Sequence, residues 1–281
     1  MFKKLIVIVL ITGIFSCTAT LKEENFIAQS KEVNIYDQEI LANWQQQFLQ
    51  HKLNTLSLTT KDKSAQLQGL YLDNPNSNDL LFIIQGNGMK IKDAGIKMLL
   101  QLAALPVDLV IFDRRGLGAS SGQATINNLI SDANEQYQFI QTKFNVDKTI
   151  VHGYSLGSFI AAQLAKQQDV DALVLQGSAT NVDDWVEAKT PWYMSPFLTV
   201  NIDPAFKVAD NQSIVAQAYQ NPLLIIAGEN DQQVPVMLSK QLYNASQSTN
   251  KTLLIVKGAN HGGMFDDPAT TSAYVAFLAS L

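Results

Sequence analysis

The chain has 281 residues, 47% of them hydrophobic and 16% charged, enough to bury a sizeable core in one large α/β domain or two small ones. Its 20 basic residues stand against 25 acidic ones, a formal charge of −5. No cluster of Lys or Arg follows Lys3 and Lys4, which excludes the electrostatic footprint of a nucleic-acid binder.

The first seventeen residues, MFKKLIVIVLITGIFSC, run from a basic start through about eleven apolar residues to small ones. That is the layout of a secretory signal, too short to span a membrane comfortably. The single cysteine of the chain, Cys17, closes it. The stretch IFSC resembles the bacterial lipobox, with Phe15 in place of the usual small or aliphatic residue. This resemblance implies a signal peptide over 1–16, lipidation of Cys17 with palmitate-type chains, and a membrane-anchored lipoprotein of the bacterial cell envelope, facing the periplasm or the exterior. An ordinary signal cut nearby and an uncleaved anchor are the alternatives. A free thiol would be odd in an exported protein, and a lipidated one is accounted for. With no second cysteine, the exported domain folds without an internal disulfide and its core carries its stability.

Residues 18 to about 50 are polar and Gln-rich. Only DQEILANWQQQFLQ has helical spacing of apolar residues, so 17–50 reads as a lipidated terminus, a tether and a helix. From residue 51, AQLQGLYL alternates as a strand, DNPNSND is a turn, and DLLFIIQ is continuously apolar, as a strand buried on both faces should be. A helix over Ile91 to Leu105, the strand DLVIFD and a helix over Asn127 to Phe144 come next. They lead to the strand TIVHG, a helix from Leu156, and the strands ALVLQG and PLLIIAG. A helix near Pro235 to Ala245, the strand TLLIVKG and a C-terminal helix complete the order. Such alternation predicts an α/β domain over 51–281, with about eight strands in a mainly parallel sheet flanked by helices. Residues 178–219 stand out as a long insertion between two strands.

In an open parallel sheet, functional groups collect at the carboxyl ends of the strands. After TIVH come Gly153, Tyr154, Ser155, Leu156 and Gly157, a G-x-S-x-G corner between strand and helix. Both glycines relieve a strained turn that lifts the Ser155 hydroxyl above the sheet, before the N–H groups of the next helix. A serine needs a base to take its proton. Of three histidines, His51 precedes the sheet and His152 sits on the incoming strand, which leaves His261 in the Gly-rich loop ANHGGMFDD. An acid must hold the imidazole, and Asp231 follows the strand PLLIIAG, with Glu229, Asp266 and Asp267 as competitors. An oxyanion hole would take the N–H of Leu156 and that of Asn87, in the loop Gln85-Gly86-Asn87-Gly88. One such donor contributes roughly 2.7–4 kcal/mol to transition-state stabilisation.

With these segments quoted, the chain resembles the α/β-hydrolase superfamily, in particular small serine hydrolases with H-G-N-x-G and D-x-R-G-x-G-x-S-x-G motifs. The second motif stands complete at Asp113 to Gly122, while Gln85 replaces the histidine of the first. The resemblance covers roughly residues 53–281. It implies the α/β-hydrolase fold, a Ser155, Asp231, His261 triad, no metal and no cofactor, and hydrolysis of esters, thioesters or sometimes peptides. Asp113 to Gly122 reads as a structural loop beside the site.

The insertion carries Trp185, Trp192, Tyr193, Met194, Phe197 and Phe206, expected as a lid that either covers an acyl pocket or packs the insertion down. Taken together they favour an uncharged or hydrophobic small-molecule ester-type substrate. The expected function is an envelope serine hydrolase. A serine peptidase of the same fold and a non-catalytic binding protein are the alternatives. A dehalogenase would need an acidic nucleophile at position 155.

Overall fold

A computed structural model describes residues 17–281, so the signal peptide expected over 1–16 lies outside the described residues. In chain order the strands are β1 (Cys17–Leu21), β2 (Lys52–Thr59), β3 (Gln66–Asp73), β4 (Leu80–Ile84) and β5 (Asp108–Phe112). They continue with β6 (Thr149–Tyr154), β7 (Ala172–Gln176), β8 (Leu198–Ile202), β9 (Leu223–Gly228) and β10 (Lys251–Val256). Eight of them form one sheet in the order β10-β9-β7-β6-β4-β5-β3-β2. The β2–β3 and β3–β5 pairings are antiparallel and all others in this sheet are parallel. This is the mainly parallel eight-stranded sheet that the alternation predicts.

Helices α1 (Glu23–Phe26) and α2 (Gln38–Gln45) precede the sheet. Between and after its strands come α3 (Ile96–Leu102), α4 (Ile126–Lys143), α5 (Leu156–Gln167), α6 (Val182–Lys189), α7 (Asn211–Ser213), α8 (Val236–Ala245) and α9 (Pro268–Leu278). Side chains of a strand alternate between faces, so each buried strand feeds two cores. Leu80, Phe82 and Ile84 of β4 join the layer of α4 and α5, while Leu81 and Ile83 join that of α3 and α9. Each such side chain, fully buried, contributes about 1.5–3 kcal/mol. Strand boundaries hold to a residue or two, whereas the helices read over 37–50, 91–105 and 268–281 end earlier, at Gln45, Leu102 and Leu278. The first turn before α3, residues Ile91–Gly95, is wound as a π turn. There Asp113 Oδ1 accepts the Ile91 N–H at 2.8 Å and the Lys90 carbonyl accepts the Gly95 N–H at 2.9 Å.

The structure differs from expectation at the N-terminal side. The segment read as a tether is bonded to the body along its length. β1 pairs in parallel with β8 of the insertion, from Cys17 opposite Leu198 to Leu21 opposite Ile202. The Glu23 carboxylate accepts the Ile126 N–H at the start of α4 at 2.5 Å. Further on, the Asn87 side chain accepts the Ala28 N–H at 2.9 Å and donates to the Phe26 carbonyl at 2.7 Å. The Phe26 ring meets Trp185 and Phe206 edge-on, with centroids 5.7 and 5.5 Å away.

Candidate active site

The corner between β6 and α5 is as tight as its glycines suggest. Ser155 holds φ 55° and ψ −121°, a left-handed conformation that costs a non-glycine residue about 1–3 kcal/mol. It is held by its neighbours: the Ser155 N–H donates to the Gln176 carbonyl at 2.9 Å, and the Ser155 carbonyl accepts the Ser158 N–H at 2.9 Å and its hydroxyl at 2.6 Å. A Cβ on Gly157 would overlap the Ile84 carbonyl, and one on Gly153 would sit 2.5 Å from the Gly157 carbonyl oxygen. A Cβ on Gly86 would lie 3.3 Å from that of Ser155, so the loop after β4 abuts the corner.

His261, on the loop after β10, and Asp231, on the loop after β9, are both buried and meet at 2.6 Å between Nδ1 and Oδ2. The other carboxylate oxygen of Asp231 accepts the N–H groups of Gln233 and Val234 at 2.8 and 2.9 Å. A carboxylate acceptor assigns the proton to Nδ1, which leaves Nε2 unprotonated in the neutral ring. The imidazole stands against the end of β7, where a Cβ on Gly177 would fall 2.9 Å from its Cε1. Tyr154 flanks it on another side. Its ring centroid is 5.1 Å from that of His261, and its hydroxyl donates to the His261 carbonyl at 3.2 Å. Burial, and after it the Asp231 charge, pushes the Tyr154 phenol up to about 12. Ser155 and His261 therefore border the same Gln176–Gly177 strand end. Among the described residues, no hydrogen bond joins the Ser155 hydroxyl to the imidazole.

The competing groups point elsewhere. Glu229 accepts the Gly258 N–H at 2.9 Å, Asp266 accepts from the Gln101 amide at 3.3 Å, and Asp267 caps α9. His152 is fully buried, with Nε2 3.0 Å from the Gln176 side-chain oxygen and Nδ1 3.3 Å from the Tyr274 hydroxyl. Burial drives its imidazole down to about 4. His51 is buried just before β2, with its imidazole also lowered by burial.

The N–H groups of Leu156 and Asn87 donate to no acceptor among the described residues, and both residues border one cleft with Ser155. The Asn87 side chain is engaged by Phe26 and Ala28. Gln85, standing where the resemblance expects histidine, supports this loop by its amide. Turned to suit its neighbours, it donates to the Phe112 and Met89 carbonyls at 3.1 and 3.3 Å. The loop Asp113 to Gly122 is a buttress: Asp113 accepts from Tyr36, Ile91 and Ala119, and Arg115 grips Asp132 with bonds of 2.9 and 2.6 Å. Arg114 is different. Its side chain is buried with, among the described residues, a single hydrogen bond, to Asn87 Oδ1 at 3.3 Å, and burial lowers its guanidinium to about 10.

The cleft encloses about 250 Å³, and its apolar wall is Phe26, Leu156, Ala179, Trp185 and Val234. Of the six large lid side chains, Trp185 borders it and Phe206 is buried beneath. Trp192, Tyr193, Met194 and Phe197 are exposed and neither cover the cleft nor pack the insertion down. Phe26 escaped sequence reading because nothing local ties a phenylalanine in a polar segment to a strand corner 129 residues on. Among the described residues no cluster of three or more His, Cys, Asp or Glu is arranged to hold a metal ion, and no helix is long and apolar enough to cross a membrane.

A family model described as "alpha/beta hydrolase fold" matches residues 79–206. Lysophosphatidylserine lipase ABHD12 of Danio rerio is 28% identical over 193 residues, 62% of this chain and 49% of that protein. An uncharacterized protein of Mycobacterium tuberculosis is 30% identical over 162 residues, 57% of this chain and 55% of that one. The chain thus spans about half the length of these relatives. Among solved structures, the Pyrococcus furiosus esterase Pf2001 superposes with a TM-score of 0.69 at 17% identity, covering 91% of this chain and 98% of that one. The α/β hydrolase GrgF from Penicillium sp. sh18 gives 0.64 at 14% identity, over 81% and 98%. Sheet order, family match and structural likeness agree: this chain has the α/β-hydrolase fold.

Proposed function

We propose that the chain is a membrane-anchored serine hydrolase of the bacterial envelope, cleaving ester or thioester bonds of uncharged or hydrophobic acyl substrates. The observation that carries this reading is the 2.6 Å bond between His261 Nδ1 and Asp231 Oδ2, at the strand end that Ser155 also borders. With Nδ1 engaged, Nε2 is the nitrogen free to take the Ser155 proton, and catalytic hydrogen bonds commonly close only once substrate is seated. Ser155 attacks the carbonyl, and Asp231 orients the ring and stabilises the imidazolium. The Leu156 and Asn87 N–H groups receive the oxyanion. The imidazolium protonates the leaving alcohol or thiol. The same histidine then activates water to release the acid.

Support for the substrate class comes from the apolar cleft wall, and from the lipase and esterase named among the similar proteins. Support for the anchor comes from the signal-like first residues and Cys17. The test is fluorophosphonate labelling with peptide mapping, run beside Ser155→Ala and followed by a panel of acyl esters and aminoacyl amides. Label should map to the peptide carrying Ser155, and ester turnover should fall by about 10⁴-fold or more in the variant. Undiminished turnover would overturn the assignment. Preference for the amides would make the protein a peptidase.

A further inference from the structure

The lid carries an apolar edge that covers nothing. Between α6 and β8, Trp192, Tyr193, Met194 and Phe197 are 85, 61, 42 and 47% exposed. The Trp192 and Tyr193 rings stand edge-on with centroids 6.0 Å apart, so these two form one surface. The other exposed large apolar side chains are the pair Val33 and Ile35 on the loop before α2 and single residues such as Leu49, Met237 and Val275 on separate elements. Four within six residues make a patch of the kind that marks an interaction site. No residue from Thr190 to Ile202 is charged, and none from Cys17 to Leu21.

A second observation names the occupant. The Cys17 N–H donates to the Phe197 carbonyl at 2.7 Å, and β1 runs parallel to β8. Both strands therefore begin at the same edge, one preceded by the aromatic stretch and the other by the apolar run of residues 1–16. Whether that N-terminus is lipidated at Cys17 or keeps its apolar segment, it enters the folded body beside Phe197. We propose that this edge docks on the lipid bilayer that holds the chain's own N-terminus, with Trp192, Tyr193 and Phe197 seated at the headgroup level. Trp and Tyr suit that depth because one end of each ring system is apolar and the other polar. An uncharged edge needs no anionic lipid, so docking is insensitive to salt.

Docking also orients the cleft. Trp185 of the cleft wall lies on α6, which runs at Lys189 into the exposed stretch. The mouth is thereby held near the membrane, and the substrate class narrows to esters resident in the bilayer. This last step rests on the serine-hydrolase reading; the docking rests on the membrane-anchor reading alone.

The test uses the full chain reconstituted in phosphatidylcholine vesicles, with and without bromine on the lipid chains, and follows tryptophan fluorescence. Brominated lipid should quench the wild-type protein, and Trp192→Phe should lose most of that quenching, at low and high salt alike. In the triple variant Trp192→Ser, Tyr193→Ser, Phe197→Ser, the apparent KM for a vesicle-borne ester should rise about tenfold, with turnover of a short soluble ester unchanged. Equal quenching of wild type and Trp192→Phe would overturn the proposal. So would a triple variant that turns a dimer into a monomer while quenching stays put, which would make the edge an interface between copies. Intact quenching with no hydrolysis of either ester would sustain the docking and overturn the serine-hydrolase reading alone.

Discussion

The floor and the roof of the cleft are built by different means. On the floor, Ser155, His261 and Asp231 sit on strand ends where a single added Cβ at Gly153, Gly157 or Gly177 would collide, and where backbone bonds fix each carrier loop. The roof is α6, which carries Trp185. It is tied down by Trp185 Nε1 donating to the Gln233 carbonyl at 2.9 Å and by Lys189 donating to the Gln232 carbonyl, and β8 after it by the N-terminal strand. On the proposed hydrolase reading, proton transfer tolerates little misplacement and its groups belong on the rigid sheet, while a wall that only accommodates an acyl chain is free to be assembled from distant segments.

Variants can sharpen this contrast. The largest effect is expected on the floor, where Asp231→Asn keeps the shape but reverses the hydrogen-bond sense toward His261 Nδ1. Turnover should fall by about 10⁴-fold with the melting temperature little changed. A loss under tenfold would mean that the imidazole is oriented by something else.

Beneath the floor, acid should reveal the strain of a neutral interior histidine. His152 titrates near 4 when folded, against an ordinary 6.5. Between those values the unfolded chain holds a proton that the native state refuses, so stability falls as pH drops from 6.5 toward 4. The loss amounts to about 3 kcal/mol for this group. Chemical denaturation at pH 7 and pH 4.5 should show that His152→Gln, which keeps a hydrogen-bonding side chain toward Gln176 and Tyr274, removes most of this acid sensitivity. An unchanged slope would assign it to other groups.

The smallest effect is expected at the seam between floor and roof. Asn87→Ala keeps the backbone N–H proposed for the oxyanion but cuts both bonds to the N-terminal segment and strips Arg114 of its one partner. Stability should drop by about 1–3 kcal/mol, and KM should rise more than kcat falls. A selective collapse of kcat would instead place the side chain in the chemistry.

The same division explains what the sequence discloses. Floor elements announce themselves locally: continuous apolar runs give β4, β5 and β7, paired glycines give the corner at Ser155, and loops after strands supply Asp231 and His261. The roof depends on pairings between residues some 180 apart. CTATL carries no pattern that selects LTVNI as its neighbour, and nothing near Phe26 foretells the Asn87 side chain that holds it. Exposure of Trp192 was likewise hidden, because aromatic composition alone does not distinguish a cover from an outward edge.

Because β1 is bonded into the lid, residues 17–30 belong to the fold around the cleft. A soluble version trimmed back to the sheet, starting near residue 51, would lose the Phe26 wall and the brace on residues 198–202 together. If the proposed hydrolase reading holds, substrate profiles gathered on that shortened protein would describe an open trough, with looser chain-length selection than the longer protein shows.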